Sequence, residues 1–429
     1  MEKLVPRLRF PGFEGEWKVD SLKNIGIQII DGDRGVNYPN GSDFTSDGFC
    51  LFMNAKNVTK VGFSFDETSF ISEAKDIKLN KGKLILYDII LTTRGSVGHI
   101  AYFDEAVPFE HLRINSGMVI IRTTELNKEY LYRYLNTNQI QNEIDKVAFG
   151  SAQPQLTVGE IYKFKIAFPT ANEQTKIAFF LKQIYLKVDH LKKKKALLEK
   201  YKKGMLQKIF NQEVRFKDED GKDFGEWKEM RFGEVFTFRT TNSLSRENLN
   251  YDEGNVKNIH YGDIHTKFDS RFDITKKKVP FINSDVLISR IDSDNYCKNG
   301  DLVVADASED YEDIAKSIEI INSNNEKILA GLHTFLARPD LQSIAIGYSG
   351  YMMQGEKIRN QIKKLAQGTK VLSISTGRLS SILIPLPKLE EQTKIANLLS
   401  AIDDKINLVA REMEEMEFWK KGLLGEMFV

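Results

Sequence analysis

Glu173-Gln-Thr-Lys-Ile-Ala178 returns 218 residues later as Glu391-Gln-Thr-Lys-Ile-Ala396. At the same offset, Lys203-Gly-Met-Leu-Gln-Lys-Ile-Phe210 aligns with Lys421-Gly-Leu-Leu-Gly-Glu-Met-Phe428, and Pro169 with Pro387. Upstream, Arg9-Phe10 and Gly15-Glu16-Trp17-Lys18 match Arg215-Phe216 and Gly225-Glu226-Trp227-Lys228, with the offset between 206 and 210. An identical hexamer flanked by further matches in the same order marks a tandem duplication of about half the chain. The copies are unequal along their length: residues 20–150 and 230–365 share only fragments, while the segments from Glu173 and Glu391 match closely.

Each preserved segment reads as a long helix. Alternating steps of four and three from Ile177 give Ile177, Leu181, Ile184, Val188, Leu191, Lys195, Leu198, Lys202, Met205 and Ile209, an a/d seam. The second copy gives Ile395, Leu399, Ile402, Ile406, Val409, Met413, Met416, Lys420, Leu423 and Met427. Pro169 and Pro387 block helix upstream, and Thr170 or Asn172 can cap the first start. A helix of this length spans roughly 58 Å. An apolar seam needs a partner, and charge names it: residues 170–212 carry a net +8 and residues 388–429 a net −3. The two copies are expected to pair with each other as an antiparallel coiled coil.

The diverged parts read as mixed α/β. Leu84–Thr93, Gly117–Arg122, Asp301–Ala305 and Thr334–Arg338 are strand-like, Tyr130–Ile144 and Ser349–Leu365 helix-like, and Phe164–Phe168 and Ile382–Leu386 are apolar strands feeding the long helices. The expected architecture is two α/β (α+β) recognition domains, pseudo-two-fold related and joined by two long antiparallel coiled-coil helices. Its boundaries are 1–169, 170–211 (first helix), 212–387 and 388–429 (second helix).

Composition narrows the function. Among 429 residues, 61 Lys+Arg against 60 Asp+Glu leave a net charge of +1, which argues against coating nucleic acid by bulk positive field. A hydrophobic fraction of 41% excludes wholesale disorder. Two widely separated cysteines, Cys50 and Cys297, read as reduced thiols of a cytoplasmic protein, and no signal-peptide or membrane-spanning run appears. Walker A, GxGxxG, HExxH, EF-hand and GxSxG motifs are absent, so no catalytic or metal site is expected on this chain. His260 and His265, five apart, do not share a helical face and read as solvated loop residues; the acidic run Asp306, Glu309, Asp310, Glu312, Asp313 reads as a helix start.

Taken together, Pro385-Leu-Pro-Lys-Leu-Glu-Glu-Gln-Thr-Lys-Ile-Ala396 with its heptad helix, its earlier copy Phe168-Pro-Thr-Ala-Asn-Glu-Gln-Thr-Lys-Ile-Ala178, the opening Arg7-Leu-Arg-Phe-Pro-Gly-Phe13 with Trp17, and the fragments Asp88–Gly98 and Gly300–Asp313 give the chain a family likeness. It resembles the specificity (S) subunit of Type I restriction-modification systems over essentially its whole length. The first copy departs by reading Phe-Pro-Thr-Ala where the second has Leu-Pro-Lys-Leu. The resemblance implies two target recognition domains, each reading half of a split site in double-stranded DNA. The helices would set the gap and dock two modification (methyltransferase) subunits. It further implies restriction (translocase/nuclease) subunits as partners, no membrane, no cofactor on this chain, and S-adenosylmethionine, ATP and Mg on the partners.

Base readout needs hydrogen-bonding side chains on exposed loops. The candidates are Arg94 and Ser96 after the first unit's strand, Gln153 and Gln155 in the Gly150–Gln155 loop, and Arg290, Ser308, Thr369 and Lys370 in the second unit. The alternative is a coiled-coil adaptor or scaffold with two protein-binding globules. By segment the net charge is −1 for 1–169 and −3 for 213–387, so the globules are expected to hold DNA poorly without their partners.

Overall fold

A computed structural model of the chain describes residues 4–148, 154–288 and 291–429. Two compact units divide it: Met1–Lys192 with Arg411–Val429, and Lys193–Ala410. The helices Ala171–Phe210 and Leu389–Glu426 run unbroken, and each contributes its first half to one unit and its second half to the other.

In the first unit the central sheet has the strand order Gln28–Asp31, Met118–Arg122, Ile89–Thr92, Ile100–Tyr102, all antiparallel. Its two inner strands, Met118–Arg122 and Ile89–Thr92, read as apolar runs because both faces are covered. Ile89, Leu91, Val119 and Ile121 point into a core with Tyr130, Leu131, Ile177, Leu181 and Leu423. Their neighbours Ile90, Met118 and Ile120 point into a second core with Leu51, Met53, Leu112 and Ile114. That second layer is a three-stranded sheet in which Cys50–Met53 runs parallel to Leu112–Ile114.

The second unit repeats this plan with different residues. Its five-stranded sheet runs Phe236–Arg239, Thr334–Pro339, Leu302–Ala305, Ser317–Asn322, Arg271–Asp273. Leu302, Val304 and Ala337 face a core with Phe210, Ile395 and Leu399, while Val303, Ala305 and Leu336 face one with Ile259, Ile264 and Phe272. Here too a short strand, Lys257–Ile259, runs parallel to Ile328–Ala330.

The preserved hexamer forms the joint between globule and helix. Glu173 and Glu391 are buried, each held by two hydrogen bonds from an arginine: Arg9 at 2.8 and 2.8 Å, Arg215 at 3.1 and 2.8 Å. Gln174 donates to Pro169 O and accepts from Asn127 N; Gln392 donates to Pro387 O and accepts from Ala345 N. Tyr130 and Tyr348 donate their hydroxyls to the carbonyls of Ala167 and Pro385 in the strand that leads to each helix. The shared Glu-Gln of the two hexamers is thus explained by the globule each one anchors.

Within each unit the helix halves lie antiparallel. Phe180 meets Trp419 edge-on at 6.0 Å and Lys192 pairs with Glu417 at 2.8 Å in the first unit; Lys202 pairs with Asp403 at 2.6 Å in the second. Of the seam residues, Ile177, Leu181, Ile184, Val188, Leu191, Ile395, Leu399, Ile402, Val409, Leu423 and Met427 are buried, and Leu198, Ile406, Met413 and Met416 half-buried. The polar seam position Lys202 is accommodated by Asp403 and by the Tyr351 ring, 5.4 Å away.

Four secondary-structure readings of the sequence need correction. The strand expected from Leu84 begins only at Ile89, because Tyr87 takes a left-handed backbone (φ 74) and Asp88 accepts from Ile85 N. Tyr130–Ile144 is two helices, Lys128–Leu135 and Asn138–Ala148, broken where Asn136 and Thr137 turn back to bond Arg133, Tyr134 and Tyr132 carbonyls. Ser349–Leu365 likewise breaks, into Ser349–Met352 and Glu356–Leu365, with Gly355 as the second N-cap. Residues 306–313 start no helix: Ala307–Ser308 is a strand, and Asp310 and Asp313 close turns.

Candidate nucleic-acid interface

The sheet strands Ile89–Thr92 and Leu302–Ala305 end in loops that are wired alike. In the first unit Leu156 N donates to Thr93 O at 3.0 Å and Arg94 bridges to Gln155; in the second Ile374 N donates to Asp306 O at 3.0 Å and Ala307–Ser308 pairs with Leu372–Ser373. The residue before the neighbouring strand joins in both: Gly117 O accepts from Thr93 N at 2.8 Å, and His333 O from Asp306 N at 3.1 Å. Three loops therefore converge at one end of each sheet.

The candidates fall on these loops unevenly. Arg94, Ser96 and Gln155 are exposed, and Arg94 and Gln155 are brought side by side. Ser308 is buried, its hydroxyl donating to Asp310 O and accepting from Asp310 N, so it shapes the turn. Thr369 and Lys370 are exposed at a tip that needs Gly368: its φ is 119°, and an added Cβ would lie 2.1 Å from Val371 O. Gln153 and Arg290 lie outside the described residues.

The electrostatics of the ends differ. The first offers Arg94 and, beside it, Arg34, which reaches Ser116 O and pairs with Asp31 at 3.0 Å. The acidic run of the second is tied down: Lys363 pairs with Glu312, Lys316 with Asp313 at 3.0 Å, and Arg359 donates to the carbonyls of Glu312 and Ile314. Asp306 faces His333, Oδ1 to Nδ1, at 3.2 Å; burial raises the Asp306 carboxyl, against the pull of that histidine.

His260 and His265 are not solvated loop residues. His260 is buried and N-caps the helix Tyr261–Thr266, accepting from Gly262 N at 3.2 Å, while His265 Nε2 meets Ala307 O at 3.0 Å. Burial and the Arg246 charge push His260 down, which suits an acceptor. Among the described residues, no group of three or more His, Cys, Asp or Glu is placed to hold a metal ion.

The residues that sequence reasoning missed are Asn115, whose side chain accepts from Gly117 N, and His333. Neither stands in a motif. Their roles come from the loop crossing that brings them beside Arg94 and Asp306.

Two copies of one unit, carrying like-wired loops with unlike exposed side chains and anchored alike to a helix pair, place the chain in the class of internally duplicated two-domain proteins. The chain belongs to the family of the type I restriction modification DNA specificity domain, whose sequence model matches residues 14–200 and 225–417. It is 25% identical over 425 residues to a putative type I restriction enzyme MjaX specificity subunit of Methanocaldococcus jannaschii, covering 96% of this chain and 92% of the relative. It is 24% identical to the MjaVIII specificity subunit of the same organism over 382 residues, 82% of this chain and 81% of the relative. The fold matches a crystal structure of a type I restriction-modification S subunit from M. genitalium with TM-score 0.60 and 14% identity, covering 99% of both chains. A chain from a structure on complex assembly and conformational transition of the type I R-M system gives TM-score 0.54 at 18% identity, again over 99% of both. The family does not favour the adaptor reading.

Proposed function

We propose that each unit reads one half of a split, asymmetric site in double-stranded DNA, through the loops that converge at the end of its central sheet. One observation carries this reading: the loops keep one hydrogen-bond wiring in both units while their exposed groups differ, Arg94 and Gln155 in one, His333 and Lys370 in the other. Homodimeric readers are confined to palindromes by their symmetry, and a duplicated chain with diverged halves escapes that limit.

The helices set the gap between half-sites and dock two modification subunits. Exposed apolar side chains along them support docking, Phe179, Phe418 and Trp419 in the first unit and Leu197, Tyr201 and Leu408 in the second. S-adenosylmethionine binding belongs to those subunits, ATP and Mg to restriction subunits, and this chain takes no catalytic step. The assembly works in the cytoplasm; among the described residues, no helix is long and apolar enough to cross a membrane. The near-neutral globules rely on the partners for phosphate contacts.

Methylome sequencing of the host with and without this chain tests the reading. A bipartite methylated sequence that vanishes with the chain is expected. A methylome unchanged by its loss would refute the proposal.

A further inference from the structure

We infer that His333 is a base-reading residue of the second unit, oriented by Asp306 so that its Nε2 meets an exocyclic amino group on a base edge. This rests on the DNA-reading function proposed above and adds a residue that no motif marks.

The backbone gives the first reason. His333 sits at φ 55, a left-handed conformation that costs a non-glycine residue energy and recurs at functional sites. The structurally equivalent residue of the first unit is Gly117: Met118 faces Thr92 and Thr334 faces Ala305 across the same strand pair, and the carbonyls of Gly117 and His333 take equivalent bonds. Glycine would suit φ 55 best, yet the second unit keeps an imidazole there.

The side chain gives the second. It is about half exposed, while its partner Asp306 is three-quarters covered. Asp306 takes Nδ1 at 3.2 Å, and the Tyr261 ring meets the imidazole edge-on at 5.3 Å, so two neighbours fix the ring. In the tautomer that turns its N–H at Nδ1 towards the carboxylate, the ring presents Nε2 as an acceptor. Among the described residues, Nε2 has no hydrogen-bond partner. The ring borders a cleft of about 460 Å³ at the same end of the sheet, its wall held by Thr241 and Asn242, which bond to Thr334 O and Ala330 O, and continued by Ser243.

The chemistry gives the third. In the major groove the acceptors of a protein meet N6 of adenine or N4 of cytosine, whereas arginine, a donor only, selects O6 and N7 of guanine. The first unit offers Arg94 where the second has Ala307, and the second offers His333 where the first has Gly117. The two units thus place groups of opposite hydrogen-bonding sense on one shared scaffold, as readers of different half-sites require.

The test is methylome sequencing of hosts carrying the full chain with its modification subunit, as wild type, His333→Gly, His333→Arg and Asp306→Ala. Glycine accepts φ 55, so that variant removes the reader without straining the loop. The Gly variant should lose about tenfold in preference at a single position of one half-site and leave the other half intact. Asp306→Ala should relax the same position, and His333→Arg should turn it towards guanine on one strand. An unchanged recognised sequence in the Gly and Arg variants, or a drop in methylation uniform over all sites, would overturn the inference. If methylation depends on the chain but ignores His333, this inference alone fails; if it does not depend on the chain, the DNA-reading function fails.

Discussion

Trp227 donates its indole N–H to Glu391 Oε2 at 3.0 Å, whereas its counterpart Trp17 buries Nε1 with no hydrogen-bond partner among the described residues. The duplicated joints are therefore alike in their arginine and unlike in their tryptophan. Trp227→Phe removes a charge-assisted bond to a buried carboxylate and should cost about 1–3 kcal/mol more than Trp17→Phe, which relieves an unsatisfied donor. Thermal melts of the two variants give the comparison; equal losses would mean the indole bond contributes nothing. Arg9→Ala leaves the buried Glu173 without its ion-pair partner, and Arg215→Ala leaves Glu391 with only the Trp227 indole bond; each should cost on the order of 3 kcal/mol.

The joint also shows what could be read in advance. Glu173, Gln174 and Ile177 were legible because the second copy repeats them unchanged and because a seam of period 3.5 leaves its mark over many turns. The partner of Lys202 was hidden, since Asp403 is distant in sequence and only the antiparallel register brings it to 2.6 Å. The break at Asn136–Thr137 carries neither proline nor glycine, and side-chain bonds to the preceding turn stop that helix. In the loops, Arg94 was visible as an exposed donor after a strand, but His333 matters through a backbone angle and a carboxylate 27 residues away. Tertiary crossings of that kind leave no periodic trace.

Glu319 supplies a pH-dependent element of the second unit. It is buried and accepts from Gly347 N at 2.5 Å and Gly350 N at 2.8 Å; burial pushes its carboxyl up to about 7, against those bonds and the nearby Arg271 charge. The folded state therefore holds this proton more tightly than the unfolded chain, whose glutamate titrates at about 4.3. Between those values the folded form binds more protons, so this group's contribution falls as pH rises through the window, by roughly 4 kcal/mol in all. Urea melts of the wild type and Glu319→Gln should differ in slope against pH between about 4.5 and 7, the variant losing that decline. Parallel pH profiles would rule out Glu319 as the source.

The antiparallel pairing in the first unit puts Ile184 and Met416 in one apolar cluster. Cysteines introduced at both positions should form a disulfide within the monomer under mild oxidation. The natural thiols compete little, because Cys50 and Cys297 are both buried and burial pushes the Cys50 thiol up to about 12. Intramolecular crosslinking appears as a faster-migrating monomer on a non-reducing gel. A pair that stays reduced would contradict the register, as would equal crosslinking when the first cysteine is moved from Ile184 to a solvent-facing site.

Arg94 stands exposed beside Gln155, its backbone fixed by Gly117 O at 3.2 Å, in the loop that follows Ile89–Thr92. A guanidinium so placed can either read a guanine edge or hold a phosphate, and the two roles separate in one experiment. If it reads a base, Arg94→Ala relaxes one position of the half-site read by the first unit, with about 1–3 kcal/mol of discrimination lost there and the other half untouched. If it holds a phosphate, affinity falls alike for all sequences and the salt dependence of binding becomes shallower by about one unit of slope. The expected result is the first, because the loop is anchored on both sides by backbone bonds and leaves only side chains to vary. Binding of the assembled complex to a library of sites varied one position at a time, at two salt concentrations, decides between them.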